Sequence, residues 1–133
     1  MKIDIKNKTL IFVFDFEAEE MFMYNAIAFA VKILQEQKGK AKTVSKEINK
    51  KIKRIISENE RGQLLEKVDK LKYISNVESI QILFDNAIFI IRQLKEDIEK
   101  SKEAKHNMLE SYDLIENALV EIVDYIKEKE TKS

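Results

Sequence analysis

Residues 77–126 read VESIQILFDNAIFIIRQLKEDIEKSKEAKHNMLESYDLIENALVEIVDYI. Within this stretch Val77, Ile80, Phe84, Ala87, Ile91, Leu94, Ile98, Met108, Tyr112, Ile115, Leu119, Ile122 and Ile126 follow an alternating three–four spacing. Only Ser101 and Lys105 interrupt it. This is a helical seam with a near-heptad period. One continuous helix here would be roughly 75 Å long at 1.5 Å per residue. A compact chain of this size is about 35–40 Å across. Two readings satisfy the pattern. Either the chain turns near 100–107 into a helical hairpin, or a long helix protrudes and dimerises as a coiled coil. In the second case Met108, Tyr112, Ile115, Leu119, Ile122 and Ile126 form an oligomer seam. Ser75 to Glu78 and Asn107 to Glu110 both have capping-box spacing, which favours two helices at 76–100 and 107–129. The segment between them lacks Gly and Pro, so the dimer through 76–129 stays open.

Upstream of the seam, Leu64, Leu65, Val68 and Leu71 repeat at helical intervals, and we expect a helix over 63–74. Gly62 marks a break before it. Val44, Ile48, Ile52, Ile55 and Ile56 define the inner face of a helix over 43–60, with Thr43 or Ser45 as N-cap. Another helix is expected over 17–38. Its start carries Asp15, Glu17, Glu19 and Glu20, which suits the helix dipole, and Gly39 follows as a left-handed cap. Phe22, Ala26, Phe29 and Ile33 form one stripe on it; Met23, Ile27, Ala30 and Leu34 form the next. So wide an apolar face needs more than one neighbour.

Residues 2–16 alternate instead. Ile3 and Ile5, then Leu10, Phe12, Phe14 and Phe16, point one way, and Thr9, Ile11, Val13 and Asp15 oppose them. Period two with β-branched and aromatic residues reads as an N-terminal β-hairpin (1–16) turning at Asn7-Lys8. A lone hairpin is marginal, so it must pack on helices or pair with another edge. The expected fold is therefore mainly all-α: a single domain, 1–133, forming a bundle of about five helices with a small hairpin.

Composition narrows the function. The formal net charge is zero, so no whole-molecule field favours nucleic acid or membrane. The absence of cysteine excludes disulfides and thiolate chemistry and suits a cytoplasmic setting. There is no proline, and Gly39 and Gly62 are the only glycines, so no glycine-rich phosphate loop can form. The apolar run from Met21 to Leu34 is too short and interrupted to span a bilayer. Nucleophilic catalysis lacks its parts. Glu103-x-x-His106 has the spacing of carboxylate-bridged di-iron helices, but the chain holds one histidine where such sites need two. Glu17, Glu19 and Glu20 facing Glu121 and Asp124 could hold Mg²⁺ in a helical nucleotide hydrolase, the remotest reading. We expect no enzyme, no metal and no cofactor.

One feature is skewed. Residues 38–54 are strongly basic, and Lys42, Lys46, Lys50, Lys51, Lys53 and Arg54 make a candidate binding face opposite the apolar one. It could dock an acidic protein surface, including that of a second copy. It could lie on phosphates, though a face of lysines reads bases poorly. It could also be an ordinary solvated face. The expectation is a non-enzymatic small helical regulator, inhibitor or adaptor of bacterial or viral type, acting on a protein partner whose identity the residues do not name. Nucleic-acid binding through helix 42–54 is the alternative.

Overall fold

The computed structural model describes residues 1–36, 45–101 and 106–131, leaving aside the His106 side chain. Its elements run β1 (Lys2–Lys6), β2 (Thr9–Val13), α1 (Glu17–Glu36), α2 (Lys46–Glu60), β3 (Glu66–Asp69), β4 (Lys72–Asn76), α3 (Val77–Lys100) and α4 (His106–Thr131). The strands form one antiparallel sheet in the order β1-β2-β4-β3. This corrects the five-helix, all-α reading. The protein is mainly helical but mixed α+β, with four helices among the described residues.

The correction centres on 63–74, which is not helical. α2 ends in a Schellman cap: Gly62 takes φ +70, its N–H bonds Asn59 O, and Gln63 N–H bonds Glu58 O. The chain then turns into a second hairpin. Leu64 and Leu65 are buried ahead of it, and Val68 sits at a bulge between Lys67 and Asp69. Leu71 is in the turn with φ +60. The helical spacing of these four is thus carried by three unrelated environments. Inside β4, Tyr73 and Ser75 face the core and Ile74 faces out. Ser75 is a buried polar residue whose hydroxyl donates to Leu64 O at 2.5 Å, so it is satisfied there.

The N-terminal hairpin is half of this sheet rather than an appendage. Its inner face puts Leu10, Phe12 and Phe14 into the core, where Phe12 and Phe14 stack and Phe14 meets Tyr73 edge-on. Its turn residues Asn7 and Lys8 both have positive φ (49° and 66°), as a type I′ turn requires. Lysine is strained there by about 1 kcal/mol, and glycine is not. Lys8→Gly should therefore raise the melting temperature by about 3 °C once the added unfolded-state entropy is counted, measurable by thermal denaturation.

The order ββαα occurs twice, and the central ladder is reciprocal. Ile11 faces Ile74 at its middle, Thr9 pairs Asn76, and Val13 pairs Lys72. The same interval separates Lys6 from Asp69 and Thr9 from Lys72, the residues that close the two hairpin turns. Beyond the strand ends Val77 N–H bonds Lys8 O at 3.0 Å, and Phe14 N–H bonds Leu71 O at 2.8 Å, in mirrored positions. The sheet backbone is a pseudo-two-fold pair of hairpins, each followed by two helices. No repeat is visible in the residues themselves.

The helices break this symmetry. α3 is capped by Asn76, whose side chain accepts Ser79 N–H at 3.0 Å. It then packs against α1, α2 and α4, with Ile80, Leu83, Phe84, Ala87 and Ile91 fully buried. α4 lies antiparallel to α3, since Arg92 and Lys95 meet Glu116 while Asp85 meets Lys127. A continuous helix over 77–126 is thereby excluded. Leu119, Ile122 and Ile126 are fully buried in the core of this one chain, Tyr112 and Ile115 are half-buried, and of the expected seam only Met108 is exposed. Asn107 lies inside the first turn of α4 and does not cap it.

Glu116 staples α3 to α4. Its oxygens accept from Arg92 Nε and Lys95 Nζ, each at 2.8 Å, and Lys95 also pairs with Asp113. Burial pushes the Glu116 carboxyl up, but the bonds from Lys95 and Arg92 outweigh it and hold it below its ordinary value of 4.5. A depressed folded pKa means the staple stabilises fully above the unfolded pKa and fades as pH falls through the folded one. Glu116→Gln should cost about 1–2 kcal/mol at pH 7, because the exposed Arg92 can turn to water once released. Urea denaturation at pH 7 and pH 3 should show that gap narrowing in acid.

Candidate interaction surfaces

α2 carries the expected basic face. It starts at Lys46 behind Ser45, whose hydroxyl accepts Ile48 N–H at 3.2 Å, and buries Ile52 and Ile55. Lys42 lies outside the described residues. Lys46, Lys50 and Lys53 fall at i, i+4 and i+7, are exposed, and have no carboxylate partner among the described residues. The other two are engaged. Lys51 is half-buried and pairs with Glu78 at 3.1 Å, and Arg54 pairs with Glu58 at 3.7 Å. The Lys51 bond and charge, with smaller help from Arg54 and Lys8, hold the Glu78 carboxyl below its ordinary value. So the basic face is narrower than its residue types imply.

The acidic candidates do not gather. Glu20 accepts the Tyr73 hydroxyl at 2.5 Å, and Glu19 accepts Asp15 N–H at 2.9 Å. Burial and the Glu20 bond push the Tyr73 phenol far above its ordinary range. Both glutamates thus secure the start of α1. Glu121 and Asp124 are exposed on α4. Among the described residues no three His, Asp or Glu side chains are placed to hold a metal ion. The pair Glu103 and His106 has side chains outside the described set.

A cleft of about 490 Å³ lies where the first hairpin turn, the start of α3 and the end of α4 meet. Lys8, Asn76, Glu78, Gln81, Lys129 and Glu130 line it with Ile5 and Val77. Its charges are of both signs. Asn76 is engaged as a cap and Glu78 with Lys51. The arrangement holds no nucleophile and no convergent acid–base pair.

The unexpected surface is on α1. Met23, Ala26, Ile27, Ala30, Val31, Ile33 and Leu34 face the core. On the opposite side Ala18, Met21, Phe22, Asn25 and Ala28 are exposed and Phe29 is half-buried against Tyr112, their ring centroids 5.5 Å apart. Met21 is 63% and Phe22 39% exposed. With Tyr24 also exposed beside this line, the apolar surface of α1 extends well onto its outer face, where it is interspersed with Glu17, Asn25 and Lys32. An apolar surface this wide normally meets more than one neighbour. α3, its pseudo-two-fold mate, is flanked by three helices, whereas α2 lies against α3 rather than α1. The bare stripe is what the sequence reading missed. The signal was present in Met21 and Phe22, but which neighbours the chain supplies is a tertiary fact.

The sheet edges offer less. Asp4 Oδ1 accepts the Ile5 N–H at 2.8 Å within edge strand β1, and β3 is short, charged and bulged. Both devices discourage strand addition. Among the described residues no helix is long and apolar enough to cross a membrane. Compared with protein-family models, curated proteins and solved structures, the chain matches none.

Proposed function

We propose that this is a non-enzymatic binding protein, a small cytoplasmic regulator, inhibitor or adaptor that docks a macromolecular partner on the outer face of α1. The observation that carries this reading is the exposed apolar set Met21, Phe22 and Ala28, continued by the half-buried Phe29, on a helix whose other side is core. Exposed apolar patches of this sort mark contact surfaces. Methionine and aromatic side chains are the types that anchor them.

A photo-crosslinking phenylalanine analogue placed at Met21, and separately at Lys50 and Glu121, tests it in the native cell. A protein adduct of discrete mass is expected from Met21 alone, and Phe22→Glu in the same chain should suppress it. Adducts from Lys50 alone, or from none of the three, would remove the α1 reading.

Nucleic acid bound through α2 is the second reading. It draws on the exposed line of Lys46, Lys50 and Lys53, which have no carboxylate partner among the described residues. Three phosphate contacts would give a slope of log K against log salt of about −2.7. Gel shifts with generic DNA and RNA across a salt series check this. No shift at low salt would leave α2 as a solvated face.

A further inference from the structure

We propose that the partner on the outer face of α1 is a second copy of this chain, packed α1 to α1 antiparallel about a two-fold axis at Asn25. This rests on the reading of that face as the binding surface and names its occupant.

The stripe is self-complementary about Asn25. In an antiparallel pair centred there, residues equally far on either side of Asn25 oppose one another. Met21 then faces Phe29 of the second copy, and Phe22 faces its Ala28. A large side chain meets a small one at the second pair, as ridges entering grooves require. Asn25 meets its own counterpart, and a central polar pair of this kind fixes register. The charges agree as well. Glu17 heads the stripe, Lys32 lies two turns beyond Asn25 on the same face and one turn before the exposed Glu36, and Glu17 and Lys32 are exposed with no ion-pair partner among the described residues. Antiparallel packing brings the Glu17 end of each helix to the Lys32 end of the other, twice per dimer. A parallel pair would oppose like charges instead. A two-fold contact also closes on itself and does not propagate into fibres.

One helix face per copy is a small contact beside the roughly 800 Å² per partner of a standard interface. A dimer with a dissociation constant of about 10 μM is therefore expected, which sets the concentrations for the test. Sedimentation equilibrium of the full chain should show reversible doubling of the 15.6 kDa mass across that range. Glu17→Lys and Lys32→Glu should each weaken association at least about fivefold. The double swap should restore it, since the pair is rebuilt across the axis with opposite sign. Circular dichroism of each variant confirms that the monomer stays folded. A wild type that is monomeric at all concentrations overturns the proposal. So does a dimer in which the double swap fails to rescue the single ones. The crosslinker at Met21 separates the two levels. A heavier adduct with a different protein from a monomeric chain retires the second copy but keeps the binding face. Monomer with no adduct retires both.

Discussion

Ile74→Pro should unfold the protein, whereas Lys70→Pro should leave it within about 0.5 kcal/mol of wild type. Ile74 occupies the centre of β4, paired with Ile11 on one side and Glu66 on the other. Proline there removes a ladder hydrogen bond and brings ring atoms against a neighbouring strand. The loss is about 3 kcal/mol or more, a large part of the 5–15 kcal/mol that stabilises an ordinary domain. Little of it comes from packing, because the Ile74 side chain is half-exposed. Lys70 is four residues away along the chain and differs in every respect. It is the first residue of the β3–β4 turn, and its N–H bonds only the exposed Asp69 Oδ1, at 2.7 Å. Proline is favoured at that turn position, and Asp69 before it is extended, as a residue preceding proline must be. Were 63–74 the helix its leucine spacing implies, the order would differ: Lys70→Pro would sit in a helix interior and cost about 3 kcal/mol. Urea denaturation followed by far-ultraviolet circular dichroism decides between them. A Lys70→Pro variant as damaged as Ile74→Pro would sink the strand assignment.

How much of this was legible depends on which residues carried their own signal. The first hairpin was, because Leu10, Phe12 and Phe14 alternate against Thr9, Ile11 and Val13 on a half-buried surface. The apolar seams of α3 and α4 were, though whether Ser101 to His106 turned the chain could not be decided from helix formers alone. The second hairpin was not. β3 is an exposed edge whose residues, Glu66, Lys67, Val68 and Asp69, have no inner face to pattern. β4 turns Ser75 inward, where a hydroxyl is tolerated only because Leu64 supplies a carbonyl. The pseudo-two-fold is a property of backbone register. Ile11 and Ile74 coincide across it, but Leu10 corresponds to Tyr73 and Phe12 to Ser75, so side chains do not repeat. The candidate surfaces divide the same way. The basic line on α2 was readable by residue type, but the pairing of Lys51 with Glu78 joins two elements and reduced it. On α1 the apolar width was read, and the shortage of neighbours was not.

Phe84→Ala and Met21→Ala should separate fold from binding. Phe84 is 0% exposed in the N-terminal half of α3, the helix that α1, α2 and α4 all contact. Truncating it leaves a cavity that those helices cannot all close upon, and costs about 3–5 kcal/mol. The melting temperature should fall by about 10–15 °C. Below that transition the variant still presents an intact α1 and should bind its partner as wild type does. Met21 presents the reverse case. At 63% exposure its loss removes little buried area, and alanine is the better helix former, so stability should stay within about 0.5 kcal/mol. Binding should weaken about tenfold or more, as it does when a central apolar anchor is truncated. Both variants need only thermal denaturation and a binding or self-association titration. A Met21→Ala variant that melts like Phe84→Ala would mean that the outer face of α1 is covered within the chain, and the docking surface would go with it. If both are stable and both bind normally, Met21 anchors nothing and the docking surface on α1 is lost. The informative result is the crossed one, because a side chain that matters to binding and not to folding is held on the surface for something outside the chain.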